Sequence, residues 1–201
     1  MVGLNKECPR WAPGSVIKWV AWTQGFKTPE DATYAAQQLN IAATKWNELD
    51  IGVKFEWVEQ TQDAVFALCH GGSNGGTLAS AFFPNPNDLN VLMVYNAAFS
   101  MPKWKDNMWK VFTHELGHVL GLRHEFAVDV NLETGKVVEA SLKAVQLGPR
   151  NKTSVMSYSN KPPEIQQSDA ESTRAFYALR EDEQGNPPLV GLTEVQDYVP
   201  M

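Results

Sequence analysis

The chain has 201 residues, 43% of them hydrophobic and 20% charged, with 17 Lys+Arg against 23 Asp+Glu for a formal charge of −6. A chain of this length can remove roughly 70% of its unfolded surface from water, so one domain with a full core is expected and no disulfide scaffold is needed. The composition excludes collagen-like, coiled-coil and disordered chains. No apolar run reaches the ~20 residues of a membrane span, and an acidic chain without a basic cluster repels phosphate backbones, so neither a membrane nor nucleic acid is an expected partner. The opening residues, MVGLNKECPRW, lack the charged-then-apolar layout of a signal; either a signal has been removed or none was present.

Residues 15–22 (SVIKWVAW) are rich in β-branched and aromatic types and read as a strand. Thr28-Pro29-Glu30-Asp31 then starts a helix: Thr28 caps, Pro29 suits the first turn and two acids meet the positive end of the dipole. Ala32, Ala35, Ala36, Leu39, Ala43 and Trp46 recur at helical spacing to about Glu48. Strands follow at residues 53–58 and 64–69, and the first strand, the helix and the next strand form a βαβ unit. A glycine-rich loop, HGGSNGG, leads to a short strand over residues 77–83 that Pro84 and Pro86 end; residues 91–95 (VLMVY) make a buried strand. A helix after Asp106, an irregular stretch over residues 126–157 and a last helix from Ser168, with Ser168 and Glu171 as its capping box, complete the regular structure. The last twenty residues, with Gly185, Pro187, Pro188 and Pro200, read as irregular.

Chemistry is concentrated in residues 111–125, VFTHELGHVLGLRHE. His114 and His118 are four apart, so on a helix they share one face and can grip one metal ion, while Phe112, Leu116 and Leu120 take the opposite face. Glu115 lies about a quarter-turn from His114 and can reach a metal-activated water without ligating the metal. Gly121 can adopt φ > 0 and end the helix, so that the chain doubles back and His124 supplies a third nitrogen. Three histidines with one position left open are the ligand set of a catalytic zinc site, and three of the four histidines in the chain fall in this register.

These residues resemble the metzincin zinc peptidases, whose signature H-E-x-x-H-x-x-G-x-x-H runs here from His114 to His124. The resemblance implies an α+β catalytic domain over residues 1–201, with a twisted, mostly parallel sheet, two long helices, an upper subdomain of about residues 1–121 and a lower one of about 122–201. It implies one catalytic Zn2+, secretion, a peptide or protein substrate and a monomer. Ser154-Val155-Met156-Ser157-Tyr158 is similar to the Met-turn, with Met156 beneath the imidazoles. Tyr158 matches the tyrosine of astacin-like and serralysin-like members, which can support the oxyanion, and Glu125 matches the astacin pattern. Thr77, Leu78, Ala79, Ser80 and Ala81 are similar to the matrixin edge strand that pairs with substrate backbone.

The implied reaction is zinc-dependent endopeptidase hydrolysis with Glu115 as general base and then acid. The rival reading is a catalytically silent peptide-binding protein of the same fold. Some features depart from the relatives. His70 is the one histidine outside the motif, and Ser80 stands where a matrixin places a structural-zinc histidine, so His70 is read as a non-ligand. Asp88 is isolated and Asn96-Ala97-Ala98 is not acidic, so calcium is not indicated. The spacing from His124 to Met156 matches neither family. Cys8 and Cys69 either pair, or Cys8 is a pro-segment thiolate, or both are free thiols.

Overall fold

A computed structural model describes residues 1–139 and 143–201. The irregular stretch expected over residues 126–157 therefore includes three positions, 140–142, that lie outside the described residues. Strand β1 (Glu7–Trp11) is followed by β2 (Val16–Ala21), helix α1 (Pro29–Asn47), β3 (Lys54–Trp57), β4 (Phe66–His70), β5 (Ala79–Ser80) and β6 (Asn90–Val94). Two short helices, α2 (Asn96–Ser100) and α3 (Pro102–Lys105), precede the longer α4 (Met108–Val119) and α5 (Gln167–Ala178), and strands β7 (Leu189–Val190) and β8 (Thr193–Tyr198) close the chain. Among the described residues no helix is long and apolar enough to cross a membrane.

Five strands form one sheet in the order β3-β2-β4-β6-β5, parallel throughout except for β5 against β6. The mostly parallel sheet expected from the sequence is thus present. One face carries Ile17, Trp19, Phe66, Leu68, Leu92 and Val94, all fully buried, and the alternate residues Val16 and Val91 point to the exposed side. Helix α1 begins as its sequence predicts, with Thr28 Oγ1 accepting the Asp31 amide at 3.1 Å. It lays Ala35, Leu39, Ala42 and Trp46 into the same core as Phe112 and Leu116 of α4. The small alanines let α1 and α4 approach closely, and the Trp46 indole donates to Thr113 O at 2.9 Å, so the two helices are joined by a buried hydrogen bond as well as by packing.

Three expectations are corrected. The last twenty residues are not irregular throughout: β8 lies between β1, to which it is parallel, and β7 in a second, three-stranded sheet. Arg10 of β1 is buried and satisfied there by Asp197 and by the Phe176 and Leu179 carbonyls, which makes the pairing specific. The strand expected over residues 77–83 shortens to Ala79–Ser80, because beyond Ser80 the chain leaves β6 for a loop in which Asn85 bonds Phe83 O and Asn90 Oδ1. The capping box of α5 is Gln166 with Asp169, not Ser168 with Glu171; Asp169 Oδ2 accepts the Gln166 amide at 2.8 Å, and Ser168 Oγ instead accepts from Asn151.

The end of α4 positions everything that follows. Gly121 has φ +89°, Leu122 N–H donates to Gly117 O at 2.9 Å and Gly121 N–H donates to His118 O at 2.8 Å, the paired bonds of a Schellman motif. The next two carbonyls are satisfied from afar, Val119 O by the Trp11 indole and Leu120 O by the Tyr177 hydroxyl. Gly121 is required twice, because a Cβ there would also stand 2.2 Å from Pro9 O, a backbone atom of β1. Gly121→Ala is accordingly expected to lower unfolding free energy by at least about 2 kcal/mol, from left-handed strain and the clash together. Urea denaturation of the metal-free chain measures it, and a midpoint equal to the parent's would contradict this role for the turn.

Candidate metal centre

His114 and His118 project from one face of α4, and the turn at Gly121 returns the chain so that His124 faces them. One nitrogen from each ring lies within 4.8 Å of the others, and among the described residues this is the one cluster of three or more His, Cys, Asp or Glu side chains so disposed. Each ring is held through its other nitrogen. His114 Nδ1 donates to Val155 O at 2.7 Å, His118 Nδ1 to Leu122 O at 2.8 Å, and His124 Nδ1 to the Glu139 carboxylate. A carbonyl or carboxylate oxygen can only accept, so every Nδ1 carries a proton, and in a neutral ring Nε2 is then left to present a lone pair. Burial pushes the His114 imidazole down to about 4 and His118 well below its ordinary value, keeping these rings neutral.

His118 Nε2 and His124 Nε2 stand 3.2 Å apart. Two acceptors at that distance repel unless a cation lies between them. A divalent metal suits the position: three imidazoles, each with an outer partner behind it at Nδ1, and an open side toward the solvent groove are the donor set of catalytic zinc.

The turn around Met156 lies under α4. Met156 is buried, and its sulfur occupies the space that a Cβ on Gly117 would take, only 2.3 Å from that ideal position. Ser157 N–H donates to Ser154 O at 2.9 Å to close the turn, and Glu125 N–H donates to Met156 O at 3.0 Å. The Glu125 side chain is buried; its Oε1 accepts the Asn151 amide at 2.7 Å, and its Oε2 lies 3.8 Å from the amino group of Met1.

Glu115 is 7% exposed, and among the described residues no donor is bonded to its carboxylate. Burial pushes its carboxyl up to about 8, the behaviour of a group poised to hold or release a proton near neutrality. Tyr158 is 69% exposed, with its ring 4.5 Å from His124 and 5.7 Å from His114, centre to centre. Burial of its hydroxyl, followed by the charges of Glu115 and Glu139, holds the phenol above its ordinary range, so it remains a donor.

Two cavities, about 530 Å³ and about 380 Å³, open on either side of this centre and share Thr77, Ala79, Glu115 and Tyr158. They form one groove. Leu78, Trp104 and Val111 line the larger end, with Lys161 at its wall; Ser80, Ala81 and Phe83 line the smaller. β5 holds the edge of its sheet, and Thr77, Ala79, Ser80 and Ala81 line the same cavity as His118 and His124. His70 lies elsewhere, with Nδ1 3.0 Å from Gly25 O and its ring against Phe26 and Phe99. Cys8 is a buried thiol in β1, Cys69 is a half-buried one in β4, and the two are not joined to each other.

Sequence reasoning missed four residues that build the centre. Phe126 stacks on His124 at 4.9 Å and Phe83 meets His118 edge-on at 5.4 Å, so the rings are walled by aromatic groups. Glu139 holds His124. Asp169 holds the turn: Oδ1 accepts from Ser154 Oγ at 2.6 Å and Oδ2 from Val155 N–H at 2.8 Å, fixing the residue whose carbonyl orients His114. Only Asp169 left a signal in the sequence, as an acid three residues into a helix start.

The family model described as Metallo-peptidase family M12 matches residues 21–172. No sequence among curated proteins matches the chain. Among solved structures the chain is similar to myroilysin, with a TM-score of 0.57 and 16% identity over 85% of this chain and 96% of that one. It is also similar to high choriolytic enzyme 1, a hatching enzyme zinc-protease from Oryzias latipes (medaka fish), with a TM-score of 0.58 and 15% identity over 85% and 95%. At such identities the likeness is one of fold.

Asp169→Ala leaves three buried or half-buried donors, on Ser154, Val155 and Gln166, without their acceptor. Each such loss costs ~1–3 kcal/mol and a chain of this size loses about 2–4 °C per kcal/mol, so the melting temperature of the metal-free variant is expected to fall by roughly 5 °C or more. Differential scanning calorimetry checks this; an unshifted transition would remove Asp169 from the support of the turn.

Proposed function

The chain belongs to metallopeptidase family M12, with zinc-dependent peptidase activity, and from that premise we propose how its residues divide the work. The observation that carries the reading is the convergence of three imidazoles, each fixed through Nδ1, beside a buried carboxylate in a groove bordered by an edge strand.

His114, His118 and His124 hold one zinc ion. When bound, the metal supplies Lewis acidity that polarises a peptide carbonyl and makes water a competent nucleophile near neutral pH. Glu115 removes the proton from the attacking water and delivers it to the leaving amine, acting first as base and then as acid. Its place one residue after His114 brings the carboxylate toward the same space as the imidazole lone pairs while keeping it out of the ligand set. The Tyr158 phenol, held protonated, donates a hydrogen bond to the oxygen on which charge develops. Thr77, Leu78, Ala79, Ser80 and Ala81 present backbone groups to an extended substrate, which then lies along the groove as an added strand. Gly121 and Met156 support the centre: one turns the chain toward His124, and the other fills the space beneath α4 as a Met-turn does. The single domain divides near Gly121, with the zinc groove between the two parts.

Glu115→Gln keeps the size of the side chain and removes its basicity. It is expected to retain zinc and fold while losing ~10²–10⁴-fold in peptide hydrolysis. Elemental analysis together with a cleavage assay on a generic peptide measures both; retention of more than about a tenth of the rate would contradict the role of Glu115, and a zinc-loaded parent that cleaves no peptide would favour the catalytically silent peptide-binding protein.

Tyr158→Phe removes one hydroxyl and keeps the ring against His124. The loss is expected mainly in kcat, with 10²–10³-fold as a rough upper guide because zinc shares the charge. Steady-state kinetics on one peptide, with zinc content measured in the same samples, decides it. A parental kcat would return Tyr158 to packing.

A further inference from the structure

The three imidazoles are not held alike. His114 and His118 stand one turn apart on α4, and their Nδ1 partners are backbone carbonyls, Val155 O and Leu122 O. His124 lies beyond the Gly121 turn, where no helix fixes its backbone, and its Nδ1 partner is a side chain fifteen residues further along, Glu139. We propose that Glu139 is the positioning residue of the third zinc ligand, clamped by Arg123 so that its carboxylate fixes the tautomer and direction of the His124 ring.

The clamp is two-sided. Glu139 Oε1 accepts from His124 Nδ1, while Oε2 accepts from Arg123 Nη2. Arg123 is itself anchored: its side chain is 4% exposed, Nη1 donates to Gly3 O at 3.1 Å and its amide donates to Met1 O at 2.8 Å. With one oxygen on the imidazole and the other on the guanidinium, the carboxylate is committed and is not a fourth metal ligand. On the far side of the ring Phe126 stacks nearly parallel to His124, with 10° between the planes. The ring is thus restrained in plane by the carboxylate and against tilting by the phenyl face. A carboxylate behind a ligating imidazole directs the opposite nitrogen at the metal and raises its basicity, and removing such a partner typically weakens metal binding 10–100-fold. An imidazole on a loop has more to lose from that removal than the two on α4.

The proposal rests on the zinc reading above, and its test separates the two. The full chain and Glu139→Gln are compared by competition for zinc against a chromophoric chelator, and by melting with and without zinc. Glutamine keeps an acceptor for His124 and loses the charge. The expected result is zinc binding weakened 10–100-fold in the variant and a reduced zinc-induced rise in melting temperature, whether or not loss of the Arg123 ion pair also lowers the zinc-free melting temperature. A zinc affinity within about twofold of the parent overturns the proposal. So does a loss of zinc-free stability with affinity kept, which would make Glu139 a partner of Arg123 alone. Failure of the parent chain to bind zinc would sink the zinc reading itself. If Glu139→Gln does not fold, Glu139→Asp, which shortens the reach to His124 by one methylene, enters the same competition. Weakened zinc binding in that variant supports the clamp, and an affinity within about twofold of the parent overturns it.

Discussion

His118 Nε2 and His124 Nε2 face each other across 3.2 Å, and much of the surrounding architecture serves to hold them there. A pair of acceptors at that separation is unfavourable in the absence of a cation, so the folded chain stores a preference for one. Holding it requires that each ring be fixed from behind. The three backing groups come from three different places: the turn at Val155, the Schellman turn after α4 and the segment that carries Glu139. Packing supplies the rest. α4 is locked to α1 by the Trp46 indole, to β1 by the Trp11 indole and to α5 by the Tyr177 hydroxyl, so the helix bearing two ligands is tied to much of the molecule's core.

What was legible in the sequence follows from the range of the interactions. The register from His114 to His124 and the Gly121 turn are set within a dozen residues by helical spacing and a positive φ, and both stand in the structure as read. Helix α1 was equally plain, because Thr28, Pro29 and the apolar periodicity all agree. The pairing of β1 with β8 was hidden: Arg10 meets Asp197 from 187 residues away, and TEVQDY is too polar to announce a strand on its own. Asp169 was nearly visible as part of a helix start, but the local pattern favoured Ser168 with Glu171. The contact that decided the cap, with Ser154 and Val155, comes from a turn fifteen residues earlier. Glu139 could not be read at all, since it lies in a stretch whose length matches neither family that the chain resembles.

The groove gives the centre its setting. The chain as a whole carries −6, yet Lys161 sits at the wall of the larger cavity while Glu115 and Tyr158 occupy the shared floor between the two ends. Apolar lining at one end, an edge strand alongside and a proton-handling carboxylate at the middle suit an extended peptide lying across the imidazoles. The fold is shared with structures only 15–16% identical.

The central claim is that three imidazole nitrogens of this chain hold zinc and leave one coordination position open to solvent. X-ray absorption at the zinc edge, on protein loaded with one equivalent of the metal, tests it most directly. The account predicts three nitrogen scatterers near ~2.0–2.1 Å with the outer-shell pattern of imidazole, plus one light-atom ligand that is displaced by a small anion. A sulfur scatterer, or a fourth protein ligand that closes the site, would contradict it.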